Sequence, residues 1–187
     1  YTFAMPAENV IISAVFESLT SNVTSVSMDF NGKMFLITYI KLSDDVMADA
    51  NAYVSVTFNG KTTTHNVAGL KRDGQGRVSV RQELFAAMMR DEMTLQVFNG
   101  QGEVQTLMYK ETEDVTDGFV YSALKYLKDR QENSKNEEMK ELARAAELYG
   151  TAVQVYFGYK TDELPPEDRA AMEEAANEIS IPESCAE

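Results

Sequence analysis

The residue types that most often perform catalysis are scarce in this chain, which has one histidine, His65, and one cysteine, Cys185. A zinc site or a Ser-His triad needs further ligands or partners, and the sequence around His65 supplies neither a second histidine nor a cysteine. We interpret His65 as a surface residue of a strand. Cys185 lies in the polar segment 181–187, where it has no partner for an internal disulfide.

Carboxylates, in contrast, are abundant, with 30 Asp and Glu residues in the chain. A glycosidase needs only two of them at the correct separation across a cleft. In so acidic a chain, however, neighbouring carboxylates are expected on any solvated surface, so their number does not predict an enzyme. The pairs and clusters considered are Asp44, Asp45, Asp49, Asp91, Glu92, Glu111, Glu113 and Asp114.

Two acidic segments carry oxygens that Ca²⁺ could bind, namely Asp44-Asp45 and Asp73-Gly74-Gln75-Gly76. Neither has the regular spacing of oxygen ligands found in an EF-hand loop. We attribute both segments to turns, and the chain contains no glycine-rich phosphate-binding motif. The sequence therefore predicts no metal and no cofactor.

Tyrosine is the residue type with the best prospect of binding a ligand, because its ring can stack on the face of a sugar. The chain has nine tyrosines and no tryptophan, the side chain that favours such stacking most. Four tyrosines lie near turns or on strands with polar neighbours, and they are the predicted exposed platform: Tyr39, Tyr53, Tyr109 and Tyr121. Carbohydrate binding is thus an alternative prediction rather than the leading one.

The charge of the chain argues against two classes of partner. Its formal net charge is −13, so its average field repels phosphate backbones and anionic lipid surfaces. No run approaches the roughly 20 apolar residues of a membrane-spanning helix. We expect neither nucleic acid binding nor membrane insertion of this segment, while 44% hydrophobic residues suffice for a buried core.

Residues 18–117 have the pattern of an antiparallel β-sandwich, Ig-like, with about seven strands. Asn-Gly occurs at 31–32, 59–60 and 99–100, and each pair is a candidate type I′ hairpin turn. Residues 33–42 are apolar on both faces, which predicts a central strand. Val54, Val56 and Phe58 alternate on one face, and the polar, β-branched residues 61–67 predict an edge strand. Residues 84–90 predict a short helical crossover.

Residues 118–187 have helical periodicity, which predicts two or three helices packed on the sandwich. A first stripe begins at Phe119, and a second runs from Met139 to Phe157. Ser134 and Glu137 have the spacing of a capping box for the second helix, and Gly158 suits its C-terminus. A third helix is predicted from Pro165 or Pro166, and a disordered tail from about residue 180.

The second predicted helix carries residues that suit close packing. Gly150 permits close approach to a neighbouring segment, and Gln154 can satisfy a backbone group there. Tyr149, Val153 and Phe157 are predicted to lie in a hydrophobic seam between helix and sheet, so their aromatic rings need no ligand.

The first sixteen residues, Tyr-Thr-Phe-Ala-Met-Pro-Ala-Glu-Asn-Val-Ile-Ile-Ser-Ala-Val-Phe, resemble the closing strands of extracellular repeats related to internalin B-repeats. In such repeats Thr is usual at positions 4 and 11. The resemblance implies that residues 1–17 are the trailing strand of a preceding repeat, or a linker, in a multidomain surface protein.

A second resemblance concerns residues 147–162, which contain Tyr149-Gly150, Gln154, Tyr156-Phe157 and Thr161-Asp162. This stretch is similar to a segment of an uncharacterised extracellular module in large secreted or surface proteins of Gram-positive gut bacteria. Residues 86–102 are similar to another part of that module. The resemblance implies strands followed by helices and an extracellular location, and it assigns no catalytic or ligand-binding residue.

Together these observations predict a non-catalytic module of a bacterial secreted or cell-surface protein, with a role as structural spacer or in adhesion. The expected partners are neighbouring domains of the same polypeptide, and a glycan or a host or bacterial surface protein is a further candidate. The alternative is a carbohydrate-binding module that recognises a polysaccharide through surface tyrosines.

Overall fold

The computed structural model describes residues 20–109, 115–170 and 172. Its architecture is α+β, with two five-stranded, largely antiparallel sheets and helices after the last strand. In chain order, the strands are β1 (Ser21–Asp29), β2 (Met34–Lys41), β3 (Tyr53–Phe58), β4 (Lys61–Asn66), β5 (Val78–Leu84), β6 (Glu92–Phe98), β7 (Val104–Gln105), β8 (Leu107–Tyr109), β9 (Val115–Thr116) and β10 (Phe119–Ser122).

The first sheet has the strand order β5-β2-β1-β8-β9. All its pairs are antiparallel except β1 with β8, which run parallel. β2 is bonded on both sides, and its Leu36 and Ile40 are buried. This confirms the prediction of a central strand within residues 33–42.

The second sheet has the strand order β10-β6-β3-β4, and β7 pairs with the far end of β6. Val54, Val56 and Phe58 of β3 point into the core, as their alternation predicts. β4 is an edge strand, and nearly all of its side chains are exposed. The prediction of a polar edge strand after Gly60 is therefore confirmed.

The three Asn-Gly dipeptides all join antiparallel strands, but they adopt different turns. Asn59 and Gly60 both have positive φ, 50° and 74°, as a type I′ turn requires. At Asn31-Gly32 only the glycine has positive φ, and in the turn after Asn99 it is Gly102. The type I′ prediction is thus confirmed between β3 and β4 and is wrong for the other two, whose longer loops distribute the bend over more residues.

Three α-helices are defined in the described residues, α1 (Asp44–Ala48), α2 (Ala123–Asn133) and α3 (Glu137–Tyr156). Residues 86–88 form a 3₁₀ turn within the predicted crossover. Residues 166–170 are helical, in agreement with a helix that begins near Pro166. The short helix α1, between β2 and β3, carries no apolar periodicity long enough to be predicted.

The predicted start of helix at Gly118 is wrong, because residues 119–122 form β10 and pair with β6. Helix α2 begins only at Ala123, and its N-cap Ser122 accepts a hydrogen bond from the Lys125 N–H at 3.1 Å. Phe119 and Tyr121 alternate into the core in a strand, whereas the helical interpretation placed Phe119 on one stripe with Ala123.

The ends of α3 confirm one predicted cap and correct the other. Asn136, not Ser134, is the N-cap, and its side chain accepts the Met139 N–H at 3.1 Å. At the other end Gly158 has φ 62°, its N–H bonds the Val155 carbonyl, and the Tyr159 N–H bonds the Gln154 carbonyl. These two bonds form a Schellman motif, as the position of Gly158 predicts.

The buried face of α3 consists of small and polar residues, including Ala143, Ala146 and Gly150. A Cβ on Gly150 would lie 2.5 Å from the Sδ atom of buried Met89, so the helix approaches the 86–89 segment closely, as predicted. The predicted hydrophobic seam is wrong, because Tyr149 and Phe157 are exposed. Small side chains occupy the seam since only they fit at this distance.

One core joins both sheets to the helices. It contains Ile40 from the first sheet, Leu95 from the second, Leu127 from α2 and Ala146 from α3. The predicted trailing strand at residues 1–17 and the predicted tail from about residue 180 lie outside the described residues.

Candidate functional site

Two of the four tyrosines predicted to form a platform lie close together, with Tyr121 buried and Tyr109 half-buried. Tyr121 is 4% exposed, and its ring centroid lies 6.2 Å from that of Tyr109 and 5.3 Å from that of Phe119. Burial raises the pKa of the Tyr121 hydroxyl above its ordinary value, and Tyr109 adds to this shift. The predicted exposure of Tyr121 is wrong, because it alternates inward along β10.

The other two predicted tyrosines lie on different sheets. The guanidinium of Arg77 lies 4.8 Å above the ring of Tyr39 on β2, while Tyr53 on β3 stacks on Phe98 at 4.8 Å. Both rings are half-buried. The structure therefore does not bring Tyr39, Tyr53, Tyr109 and Tyr121 together on one exposed ridge.

Several carboxylates that are candidates for catalysis or Ca²⁺ binding accept hydrogen bonds from backbone N–H groups instead. Backbone N–H groups of Asn51 and Gly100 donate to Asp49 at 2.9 and 2.5 Å and lower the pKa of its carboxyl. The Arg77 side chain and backbone likewise donate to Asp73 and lower its pKa. These groups close turns between elements, in accord with the turn interpretation of the Asp73 segment. The same interpretation is wrong for Asp44-Asp45, which form the first turn of helix α1, where a helix N-terminus favours negative charge.

Asp91, which is itself buried, is the centre of a polar cluster just before β6. It accepts hydrogen bonds from the Tyr159 hydroxyl at 2.6 Å and from the Lys160 ammonium at 2.7 Å. The Tyr159 hydroxyl in turn accepts a hydrogen bond from the Asn59 amide at 3.0 Å. Through these hydrogen bonds the cluster connects the segment after α3 with the β3–β4 turn and with the start of β6. Its contacts are therefore those of a structural cluster.

His65 lies half-buried on the edge strand β4, opposite Val54. Within the described ranges, no three His, Cys, Asp or Glu side chains form a group that could hold a metal ion. Glu111, Glu113 and Asp114 lie outside those ranges.

An exposed aromatic cleft, missed by the sequence predictions, is the strongest candidate site. It is lined by Phe30, Phe85 and Tyr149, whose exposed fractions are 44%, 68% and 59%. It encloses about 600 Å³, and the charged pair Lys33–Glu83, at 2.9 Å, lies along it. We call it the aromatic cleft.

A second cleft, of about 360 Å³, adjoins the first and also contains Glu83 and Phe85. Of its other lining residues four are polar, Asn59, Lys61, Thr63 and Gln82, and two are apolar, Phe58 and Met88. We call it the polar cleft. Phe85 therefore stands between two clefts with different chemistry.

The local backbone structure sets the position of each aromatic ring in the cleft. Phe85 directly follows β5, where the strand's alternation puts Leu84 into the core, and its carbonyl accepts the Met88 N–H at 2.8 Å. Tyr149 precedes Gly150, so the contact of Gly150 with Met89 holds Tyr149 beside this segment. Phe30 lies at the tip of the β1–β2 hairpin. The heptad spacing of Leu142, Tyr149 and Tyr156 opposite the small residues of α3 is a signal that Tyr149 faces solvent, but no sequence signal places Phe30 and Phe85 in the same cleft.

The helices of the described residues include none with the length and apolar character needed to cross a bilayer. No protein-family model, curated protein or solved structure was found to match the chain.

Proposed function

We propose that this chain is a non-catalytic binding module with an adhesion role in a secreted or cell-surface protein. The observation that carries the proposal is the aromatic cleft, which three exposed aromatic side chains line, Phe30, Phe85 and Tyr149. Contiguous exposed apolar surface is unfavourable in water, and proteins use it mainly to bind.

A structural spacer is the competing role within the same class of protein. A spacer has no need of exposed rings, so its tyrosines should be buried or scattered. Here Phe85 and Tyr149 are 68% and 59% exposed and line the same cleft. Their exposure supports adhesion over a purely architectural role.

The hydrogen bonds of the candidate carboxylates support a non-catalytic module. Asp49, Asp73 and Asp91 each accept hydrogen bonds that close a turn or join two elements. A glycosidase needs a pair of carboxylates free to face substrate across a cleft. Glu83 borders both clefts, but it is paired with Lys33.

We also propose that the sandwich is Ig-like. Support comes from the strand order: β1-β2-β5 in one sheet follows the A-B-E order of an Ig domain, and β3, β6 and β10 in the other follow C, F and G. Along the chain, β4 lies where an Ig constant domain has strand D. In the structure it pairs with β3, in the sheet opposite the one that holds strand D in that domain.

The extracellular location is proposed from the sequence resemblances at residues 1–16 and 147–162. They support a bacterial multidomain surface protein of the Gram-positive gut type, in which neighbouring domains of the same polypeptide are the first partners. A host or bacterial surface molecule is then the partner of the aromatic cleft.

Retention of protein-coated beads under flow tests adhesion. The sole cysteine, Cys185, allows coupling in one orientation. Surfaces are coated with mucin, with fibrinogen or with a neutral plant polysaccharide. We expect retention on at least one coating above the bare surface, and a fall of about tenfold for the double variant Phe85→Ala/Tyr149→Ala, because central aromatic residues dominate binding energies.

Tyr156→Ala is the matched control, because Tyr156 lies on the same helix and lines neither cleft. Retention that is equal on all surfaces, or that the double variant leaves unchanged, would contradict adhesion through the aromatic cleft and favour a spacer.

A further inference from the structure

We propose that the aromatic cleft and the polar cleft together form one binding site for a neutral polysaccharide, with Phe85 at its centre. The inference rests on the proposed binding function and assigns its ligand class. Both clefts open to solvent and meet at Phe85, whose side chain is 68% exposed. A chain-like ligand can therefore cross the Phe85 ring and enter a cleft on either side.

The aromatic side of the site suits the face of a sugar ring. Phe85, Tyr149 and Phe30 present rings with a negative face, which attracts the weakly positive C–H groups on the apolar face of a pyranose. Contact also removes the exposed apolar area of these rings from water. Phe85 is the most exposed of these three rings, so we infer that it contributes the largest share of the binding affinity.

The polar side of the site suits sugar hydroxyl groups. A hydroxyl both donates and accepts hydrogen bonds, so it is best matched by a mixture of donors and acceptors. The polar cleft contains the amide oxygens of Asn59 and Gln82 as acceptors, while their amide nitrogens already donate to the Tyr159 hydroxyl and the Glu83 carbonyl. Thr63 adds a hydroxyl, Lys61 an ammonium and Glu83 a carboxylate. This mixed set differs from the arginine or lysine clusters that bind phosphate or sulfate.

Charge selects a neutral rather than an anionic polysaccharide. The chain has a net charge of −13, which lowers the local concentration of any polyanion. Of the two lysines that line the clefts, Lys33 is already paired with Glu83 at 2.9 Å. Among the described lining residues, a polyanion would thus meet only Lys61 as an ammonium without an ion pair, in a negative field.

The extended shape of the site favours a polymer over a free monosaccharide. The two clefts enclose about 600 and 360 Å³ on either side of one ring, and neither closes over its contents. A single sugar could fill only part of this surface, so affinity should rise with chain length until both clefts are occupied.

Affinity electrophoresis and isothermal titration calorimetry on the full chain test the inference. The neutral probes are mixed-linkage β-glucan, glucomannan and soluble starch, and the anionic probes are polygalacturonate and heparin. We expect binding to at least one neutral polymer and to neither anionic one. Phe85→Ala should weaken it by about tenfold and Tyr149→Ala by about threefold, because exposed central rings carry most of such affinity.

Two controls keep the result interpretable. Tyr156→Ala removes a more exposed tyrosine from the same helix and should change affinity less than about twofold, since it lines neither cleft. Glu83→Gln preserves shape while removing the carboxylate that both clefts share, and it should weaken binding without altering the melting temperature. A melting temperature equal to wild type confirms that each variant is folded.

The outcomes separate this inference from the adhesion proposal. Failure to bind any neutral polymer, or binding that Phe85→Ala leaves unchanged, overturns the polysaccharide site. If beads carrying the chain are still retained on fibrinogen through Phe85 and Tyr149, the ligand is a protein and the adhesion proposal stands. Preference for heparin or polygalacturonate would overturn the choice of a neutral ligand.

Discussion

Tyr159 links three distant parts of the chain through one hydroxyl group. It donates to Asp91, accepts from Asn59, and precedes Lys160, whose ammonium also bonds Asp91. Burial, and then the carboxylate of Asp91, raise the pKa of the Tyr159 hydroxyl, and the hydrogen bond to Asp91 raises the pKa of Lys160. Both shifts favour the protonated form in the folded state.

These shifts predict a loss of stability in alkali. A group whose pKa is higher in the folded than in the unfolded state stabilises the fold fully below its unfolded pKa. Its contribution is lost as pH rises through the folded pKa. For Tyr159 and Lys160 this window begins near pH 10. The free energy of unfolding, measured by urea titration at increasing pH, should therefore fall above about pH 10.

Tyr159→Phe tests the assignment. It should cost about 1–2 kcal/mol at neutral pH, because a hydrogen bond to a carboxylate is lost, and it should make the alkaline fall shallower. Tyr156→Phe, which removes an exposed tyrosine hydroxyl nearby, is the control. An alkaline slope in Tyr159→Phe as steep as in the wild type would show that other groups cause the effect.

For single side chains, the sequence predicts hydrogen-bonding roles better than it predicts solvent exposure. The structural roles of Asp73 and Gln154 follow from local rules, and Gln154 does bond the backbone carbonyl of Lys160 at 3.1 Å. The exposure of Phe85 and the burial of Tyr121 depend on which residues pack above them, and that information is not local. The aromatic cleft therefore could not be predicted, although each of its residues is visible in the sequence.

Helix α3 has two faces with opposite properties. Ala143, Ala146 and Gly150 face inward and let the helix approach the 86–89 segment, while bulky residues such as Leu142 and Tyr149 face solvent. The approach at Gly150 is close enough that a Cβ would lie 3.2 Å from the Ala86 carbonyl oxygen and 2.5 Å from the Sδ atom of Met89.

Gly150→Val should therefore lower the free energy of unfolding by about 1–3 kcal/mol, the usual cost of overpacking a close contact. Ala152→Val is the matched control, since Ala152 is exposed on the same helix and loses only helix propensity, at most about 0.7 kcal/mol. Chemical denaturation measures both. Equal losses for the two variants would refute the close contact at Gly150.

Elements were predictable where their signal is local. Asn59-Gly60 specifies its own turn, and Gly158 specifies the end of α3, because both need positive φ at a defined position. The helical prediction for residues 119–122 is wrong because a short strand that runs directly into a helix shares its apolar residues with the helical stripe. Pairing with β6 decides between the two structures, and that pairing is a tertiary contact.

At the scale of the whole molecule, sheets and helices share one core rather than forming separate units. Leu127 on α2 is 2% exposed and belongs to the same buried cluster as Val23 on β1 and Met93 on β6. Such a shared core predicts one cooperative transition. Far-ultraviolet circular dichroism of the helices and the near-ultraviolet signal of the tyrosines should give the same urea midpoint.

Leu127→Ala should shift both midpoints together, with a loss of about 2–5 kcal/mol for the cavity it creates. Glu132→Ala, on the exposed part of α2, should leave them nearly unchanged. Two separated midpoints, or a shift confined to the helical signal, would mean that the helices unfold independently of the sandwich.

The polar edge strand β4 affects how copies of the protein behave at high concentration. Its sequence Lys-Thr-Thr-Thr-His-Asn exposes side chains on both faces, and β5, at an edge of the other sheet, exposes Arg81 and Glu83. An unpaired strand recruits foreign strands most readily when it is flat and apolar, and charged or polar side chains oppose this. The sheet edges formed by β4 and β5 should therefore resist pairing with strands of other copies when the protein is concentrated.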